Sequence, residues 1–265
     1  MRTKAYASIF RMNWKLELQY RGAVLGGIIC QLVFGLILVS LYRALYAGRP
    51  QVMPIETVST YVWLQQAFFR MVLSSDSDLA GKIRTGDIAY DLVRPLSLYG
   101  YYYVRILAQK SMGSLLRAVP MLVFALCLPR GWGIMAPVSP AAFACFLLGL
   151  MIGLCCVSAL ENITMGITMR TLDPKGIQAM LNLLMMILSG NVLPLTLYPD
   201  AWQKVITALP YAQLLDAPIR LYTGTRQVAE APGVLLLQAA WTVVLTGTGI
   251  ALWKSNQRRL VIQGG

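Results

Sequence analysis

The chain has 265 residues, of which 57% are hydrophobic and only 13% charged, and its mean hydropathy is +0.60. Soluble domains carry about 25% charged residues, so these values point to an integral membrane protein. There is no histidine, and Cys30, Cys127, Cys145, Cys155 and Cys156 are scattered through apolar stretches. That argues against a zinc or thiol-redox centre, and no metal site is expected.

The opening segment, MRTKAYASIFRMNWK, interrupts its apolar residues with charge and lacks a small-residue cleavage site, so it does not read as a signal peptide. Tyr6, Phe10, Trp14 and Leu18 recur every four residues, while Arg11 and Lys15 fall on other faces. This spacing predicts an amphipathic helix over residues 1–22, lying in the membrane interface with Trp14 at headgroup depth. The plainer alternative is the polar start of the first span.

Six apolar runs follow, near Ala23–Tyr46, Thr57–Ser74, Tyr102–Leu128, Pro140–Leu160, Ile177–Leu193 and Gly233–Trp253. Each approaches the roughly 17–25 residues that a helix needs to cross a bilayer. The fifth is the shortest and carries Gln178 and Asn182. With the N-terminus placed in the cytoplasm, 16 Lys and Arg fall on the inner side and 6 on the outer, leaving Arg117 inside the third run. The positive-inside rule then puts both termini in the cytoplasm. The net charge of +12 is carried by residues flanking apolar spans, which suits a membrane and not nucleic acid. No repeat or flexible linker appears, so residues 1–265 read as one membrane domain.

Between the second and third runs lies the polar stretch 75–96, SDSDLAGKIRTGDIAYDLVRPL. Ser75 and Ser77 are good N-caps, and Ser75 with Asp78 approximates a capping box. Asp76 and Asp78 suit the positive end of a following helix, and Lys82 and Arg84 its negative end. Leu79 and Ile83 share a face. Gly86 can end the helix, Asp87 can start another turn carrying Ile88 and Leu92, and Pro95 stops the run. A capped helix with an apolar edge, tethered tightly between two spans, is the shape of a knob that fits a groove in another protein. A solvated loop is the bland alternative. The cluster Tyr99, Tyr101, Tyr102 and Tyr103 reads as an aromatic belt.

Arg117 and Glu161 are the charges nearest the bilayer interior and are candidates for pathway contacts or for pairing with a neighbouring helix. Residues 188–224 contain Gly190, Pro194, Pro199, Pro210 and Pro218 among apolar residues. The segment is too broken to span and too apolar for an ordinary loop. It predicts short helices that dip in and return, with Asp200–Leu209 as one amphipathic helix and Trp202 at the interface. Such an element could close the outer end of a pathway; a loop resting on the membrane is the alternative. The stretch AGKIRTGD lacks the glycine spacing and hydroxyl of a phosphate-binding loop. No hydrolase or metalloprotease motif is present either.

The stretches GDIAYDLVRPLS (86–97), LSGNVLPLTLYPDAW (188–202), LPYAQLLDAPIRLYTG (209–224) and RRLVIQGG (258–265) resemble the permease subunit of bacterial type 2 ATP-binding-cassette exporters, in a short six-span branch. The resemblance implies an all-α integral membrane protein with six spans. It implies an ATPase-coupling region at 75–96, with Asp78, Leu79, Lys82, Ile83, Arg84 and Asp87 at the contact. It implies a connecting helix carrying Phe10, Arg11, Trp14 and Lys15. It further implies a re-entrant outer gate within 190–230, with Gly190, Pro194, Pro199 and Trp202. The chain would then be a non-catalytic half of the pathway in the bacterial cytoplasmic membrane. Its partners would be two ABC ATPase subunits, which bind the ATP and magnesium, and a second permease, either a sister chain or a copy. An ATP-independent channel or secondary transporter is the alternative function. An intramembrane enzyme would need a catalytic constellation, and none is found.

Overall fold

An uninterrupted apolar run can satisfy its backbone in lipid only as a helix, and helices stand on each of the six runs. The computed structural model describes residues 2–47, 53–73, 78–171 and 174–257. The helices are α1 (Arg2–Glu17), α2 (Arg21–Tyr46), α3 (Ile55–Val72), α4 (Asp78–Thr85), α5 (Ile88–Leu92), α6 (Leu98–Leu126), α7 (Pro140–Thr171), α8 (Pro174–Leu188), α9 (Asp200–Ala208), α10 (Asp216–Thr223) and α11 (Ala231–Gln257). Short 3₁₀ turns occupy Leu195–Leu197 and Val228–Glu230, and no strand occurs among the described residues. The N-cap residues Ser75 and Ser77, with Asp76, and the terminal stretch 258–265 lie outside the described residues.

Local chemistry explains the boundaries. The Ser97 hydroxyl accepts the Gly100 N–H at 3.2 Å at the start of α6. Ser139 does the same for the Ala142 N–H at 3.0 Å ahead of Pro140, which opens α7. Gly86, at φ 81°, ends α4, as its position in the sequence suggests.

Three segments are long and apolar enough to cross a membrane by length and composition: Arg21–Tyr46, Pro140–Thr171 and Val228–Gln257. The expected fifth span differs. It begins at Pro174 and stops at Leu188, so its 15 residues reach about 22 Å, short of a hydrocarbon core of about 30 Å. The chain turns at Gly190, whose φ of 77° only glycine adopts readily.

The most extensive packing is between α7 and α11, followed by α3 with α6, α1 with α6, α10 with α7 and α2 with α3. Gly149 and Gly153 are four apart on α7, and a Cβ on Gly153 would meet the Leu214 carbonyl oxygen at 2.7 Å. Small residues at this spacing let the backbones close up where no hydrophobic drive between helices exists.

One level through the bundle is marked by polar contacts. Lys110 Nζ on α6 lies 2.7 Å from Glu161 Oε2 on α7 and donates to the carbonyls of Met71 and Leu73 at 3.1 and 3.0 Å. The Trp253 indole on α11 donates to the Asn162 carbonyl at 2.7 Å. Past this level α6 continues for about 18 Å to Leu98 and α7 for about 15 Å to Thr171. α1, α4 and α5 pack on these extensions and form the charged end of the molecule.

The N-terminal helix does not stand alone in an interface. The Tyr6 hydroxyl lies 3.2 Å from Ser97 Oγ, and the Glu17 carboxylate covers Gly113, so α1 runs alongside α6. Its buried residues are Ile9 and Asn13, and Asn13 caps its own polarity by donating to the Ile9 carbonyl at 2.9 Å. The buried face is therefore turned from the Tyr6–Phe10–Trp14–Leu18 stripe.

Candidate functional site

At the charged end, α4 lays Leu79 into a cluster formed by Ile9, Ile88, Leu98, Tyr102, Met165 and Trp253. Asp91 on α5 points into the same region and organises it. Lys82 Nζ approaches Asp91 Oδ2 at 3.0 Å, the Tyr102 hydroxyl donates to that oxygen at 2.9 Å, and Arg94 Nε is 3.5 Å from Oδ1. Arg94 also stacks over the Tyr101 ring at 4.7 Å. A carboxylate 4% exposed with these partners is a fixed hub rather than a surface charge. Thr85 Oγ1 donates to Asp87 Oδ2 at 2.6 Å across the α4–α5 turn.

With Ile88 and Asp91 turned inward, α5 and its C-cap present Tyr90 and Val93 outward, 76% and 85% exposed. The sequence reading puts the contact edge on α4. In the structure Leu79 is buried and Lys82 reaches back to Asp91, while the side chains of Asp78, Ile83 and Arg84 lie outside the described residues. Asp87 is exposed. Asp91, Tyr90 and Val93 escaped the sequence reading, although Asp91 stands three residues after Ile88, on the same face. On α1, Phe10 and Trp14 are half-buried with ring centroids 5.2 Å apart, and Arg11 and Lys15 are exposed.

The opposite end carries a second, fully buried polar knot. The Tyr61 hydroxyl on α3 donates to Asp216 Oδ1 on α10 at 2.6 Å. Gln65 Nε2 donates to the Tyr61 oxygen and to the Ser189 carbonyl, both at 3.1 Å. Arg220, one turn along α10, lies 3.7 Å from Asp216 Oδ2. A Cβ at Gly190 would collide with the Tyr61 hydroxyl, so the positive φ and the close approach both require glycine there. The Tyr42 hydroxyl on α2 donates to the Val192 carbonyl at 3.2 Å. Pro194 is buried and precedes the Leu195–Leu197 turn; Pro199 is exposed and starts α9. Trp202 is 65% exposed on α9, and Trp241 of α11 anchors the end of that helix by donating to the Ala208 carbonyl at 2.8 Å. Gly190 and Pro194 thus join the knot, while Pro199 and Trp202 stand on its rim. Tyr61, Gln65 and Asp216 were not singled out from sequence.

Glu161 is paired with Lys110 inside the bundle, the commoner fate of an intramembrane charge. Arg117 is half-buried on α6, with its guanidinium against Gly27 of α2. Among the described residues no cluster of three or more Cys, Asp or Glu could hold a metal ion.

Three helices long and apolar enough to cross a membrane, with short helices broken at glycine and proline at one end and a charged helical end at the other, suit a membrane-embedded protein. Residues 52–264 match the family described as ABC-2 family transporter protein, and the chain belongs to that family: it is a type 2 ABC permease subunit. No curated protein matches the sequence. The family is a membrane component of transport, generally non-catalytic itself, and implies an ABC ATPase as partner.

Proposed function

We propose that this chain is one membrane half of an ATP-driven exporter in a bacterial cytoplasmic membrane. It crosses six times with both termini inside, the short α8 completing its crossing with the 189–193 turn that follows it, and a separate ATPase binds the α4–α5 surface. ATP and magnesium stay on two such ATPase subunits, and a second permease, a sister chain or a copy, completes the pathway. The observation that carries this reading is the exposed apolar pair Tyr90 and Val93 at the charged end. Lipid does not explain them, because α5 packs beside the start of α6, about 18 Å beyond the level of Lys110. Apolar side chains held there in water by a buried carboxylate hub suit a protein groove.

In this reading Tyr90, Val93 and Asp87 touch the ATPase together with Asp78, Ile83 and Arg84. Leu79 and Lys82 act from behind, making α4 and α5 one rigid lever on α6 and α7. Phe10, Arg11, Trp14 and Lys15 flank the lever. Gly190, Pro194, Pro199 and Trp202 belong to the outer gate, latched to α3 through Tyr61 and Asp216.

The test is reconstitution with the ATPase encoded next to this chain. Tyr90→Ser with Val93→Ser should leave insertion intact and abolish stimulation of ATP turnover, as should charge reversal at Asp78 and Arg84. Unchanged ATP turnover in both variants would refute the docking assignment.

A further inference from the structure

The turn that ends α8 encloses three polar atoms without a hydrogen-bond partner: Gln65 Oε1 on α3, Ser189 Oγ and Asn191 Nδ2. Asn191 as a whole is 8% exposed. A buried donor that meets no acceptor is costly, and native interiors leave few of them.

Asn191 stands where two narrow clefts meet. The upper one, about 190 Å³, lies between α2 and α3, with Leu38, Gln65 and Gln66 on its walls and Gly190 and Pro194 at its end. The lower one, about 200 Å³, lies between α3 and α8, with Phe69, Leu73, Met185 and Met186 on its walls. No charged side chain lines either cleft among the described residues. From Val62 to Leu73 the two follow α3 for about 16 Å. They begin at the Leu73 carbonyl, which Lys110 Nζ holds, and finish at the turn placed above in the outer gate.

The wall formed by α8 is the loosest of the three. Its main contacts, with α7 and α3, are sparse, whereas α7 packs extensively on α11. Met185 and Met186 on this wall are unbranched and adapt to irregular shapes. Each cleft is smaller than the roughly 300–1,000 Å³ of a ligand pocket, so a ligand enters as α8 parts from α3.

Resting on the exporter reading above, we infer that the α3–α8 cleft is a contact site for cargo and takes an uncharged amphipathic molecule. Its amide or hydroxyl group meets Gln65, Gln66 and Asn191, and its hydrocarbon lies against Phe69, Met185 and Met186. An amide or a hydroxyl both donates and accepts, which matches an unpartnered Asn191 donor and an unpartnered Gln65 acceptor in one cleft. An ionised cargo would leave water for a site with no counter-charge.

The experiment is photolabelling of the full chain in its transport complex, reconstituted in nanodiscs. Three dodecyl diazirine probes share one tail and differ in the head group: carboxamide, trimethylammonium or sulfonate. The carboxamide probe should label the peptides carrying Phe69 and Met185 at least about tenfold more than the charged probes. Gln66→Leu with Asn191→Leu should lower that labelling about tenfold, the worth of two neutral hydrogen bonds. Asn191→Leu alone should melt no lower than the wild type, because its amide nitrogen has no bond to lose. Met186→Trp, which fills the lower cleft from its exposed rim and keeps the amides, should also block labelling. Equal labelling of the cleft by all three probes would overturn the cargo class. Labelling unchanged in the double variant and in Met186→Trp would overturn the site, and so would cross-linking of Asn191→Cys to the second permease in place of labelling. Labelling is read without ATP turnover, so loss of the cleft would leave the α4–α5 docking standing, and failure of that docking would leave the cleft.

Discussion

Lys110 and Glu161 show what a charge costs inside this bundle. Both side chains are 2% exposed, and Lys110 also holds the carbonyls that close α3. Removing one partner strands the other, so Lys110→Met should lower stability by about 3–5 kcal/mol. The double variant Lys110→Met with Glu161→Leu should recover much of that loss; thermal unfolding in detergent measures both. At the other end, Tyr61→Phe leaves Asp216 short of a donor and should cost about 1–3 kcal/mol. Gly190→Ala should be worse than Tyr61→Phe in the same assay, because it combines an unfavourable φ with a collision. If Gly190→Ala melts like the wild type, the tight approach of the 189–191 turn to α3 is wrong.

At the scale of elements, the α4–α5 pair depends on its turn. Gly86 has φ 81°, and a β-branched residue there should cost about 1–2 kcal/mol. Gly86→Val should therefore misalign α5 and weaken ATPase stimulation while α6 and α7 remain folded, as circular dichroism and turnover assays would show. Helix positions were legible because apolar runs, the Gly86 stop and the Pro140 start act locally, whereas the caps at Ser97 and Ser139 were not singled out from sequence. What was not legible depends on neighbours. The face of α1 is set by α6, which accommodates Asn13 once its amide bonds the Ile9 carbonyl. The end of α8 is set by a glycine whose reason is a tyrosine on α3. Leu79 and Ile83 showed an apolar edge, but period alone cannot say whether that edge meets the same chain or another one. Lys110 was counted with the flanking charges, although its true partner lies on α7.

At the scale of the whole molecule, the proposed six-crossing arrangement puts the charged end and the 189–223 end on opposite sides of the membrane. In a background lacking the five native cysteines, Val93→Cys should react with a membrane-impermeant maleimide only from the cytoplasmic side. Trp202→Cys should react only from the outside. Labelling of both from one side would break the six-crossing reading. The two ends are joined mainly through α3, α6 and α7, and each polar knot uses at least one of these helices. Asp91 meets Tyr102 of α6, Lys110 meets Glu161 of α7, and Asp216 meets Tyr61 of α3.

The contact between Tyr6 and Ser97 has a practical corollary. It brings the first turn of α1 to the same tip as α5, yet Thr3 is exposed and lies outside the surface assigned to docking. A donor dye on Thr3→Cys, in the same cysteine-free background, would become a proximity gauge: energy transfer to an acceptor on the ATPase would rise as the two proteins assemble, and would follow each opening and closing stroke in real time without altering a single residue of the contact itself.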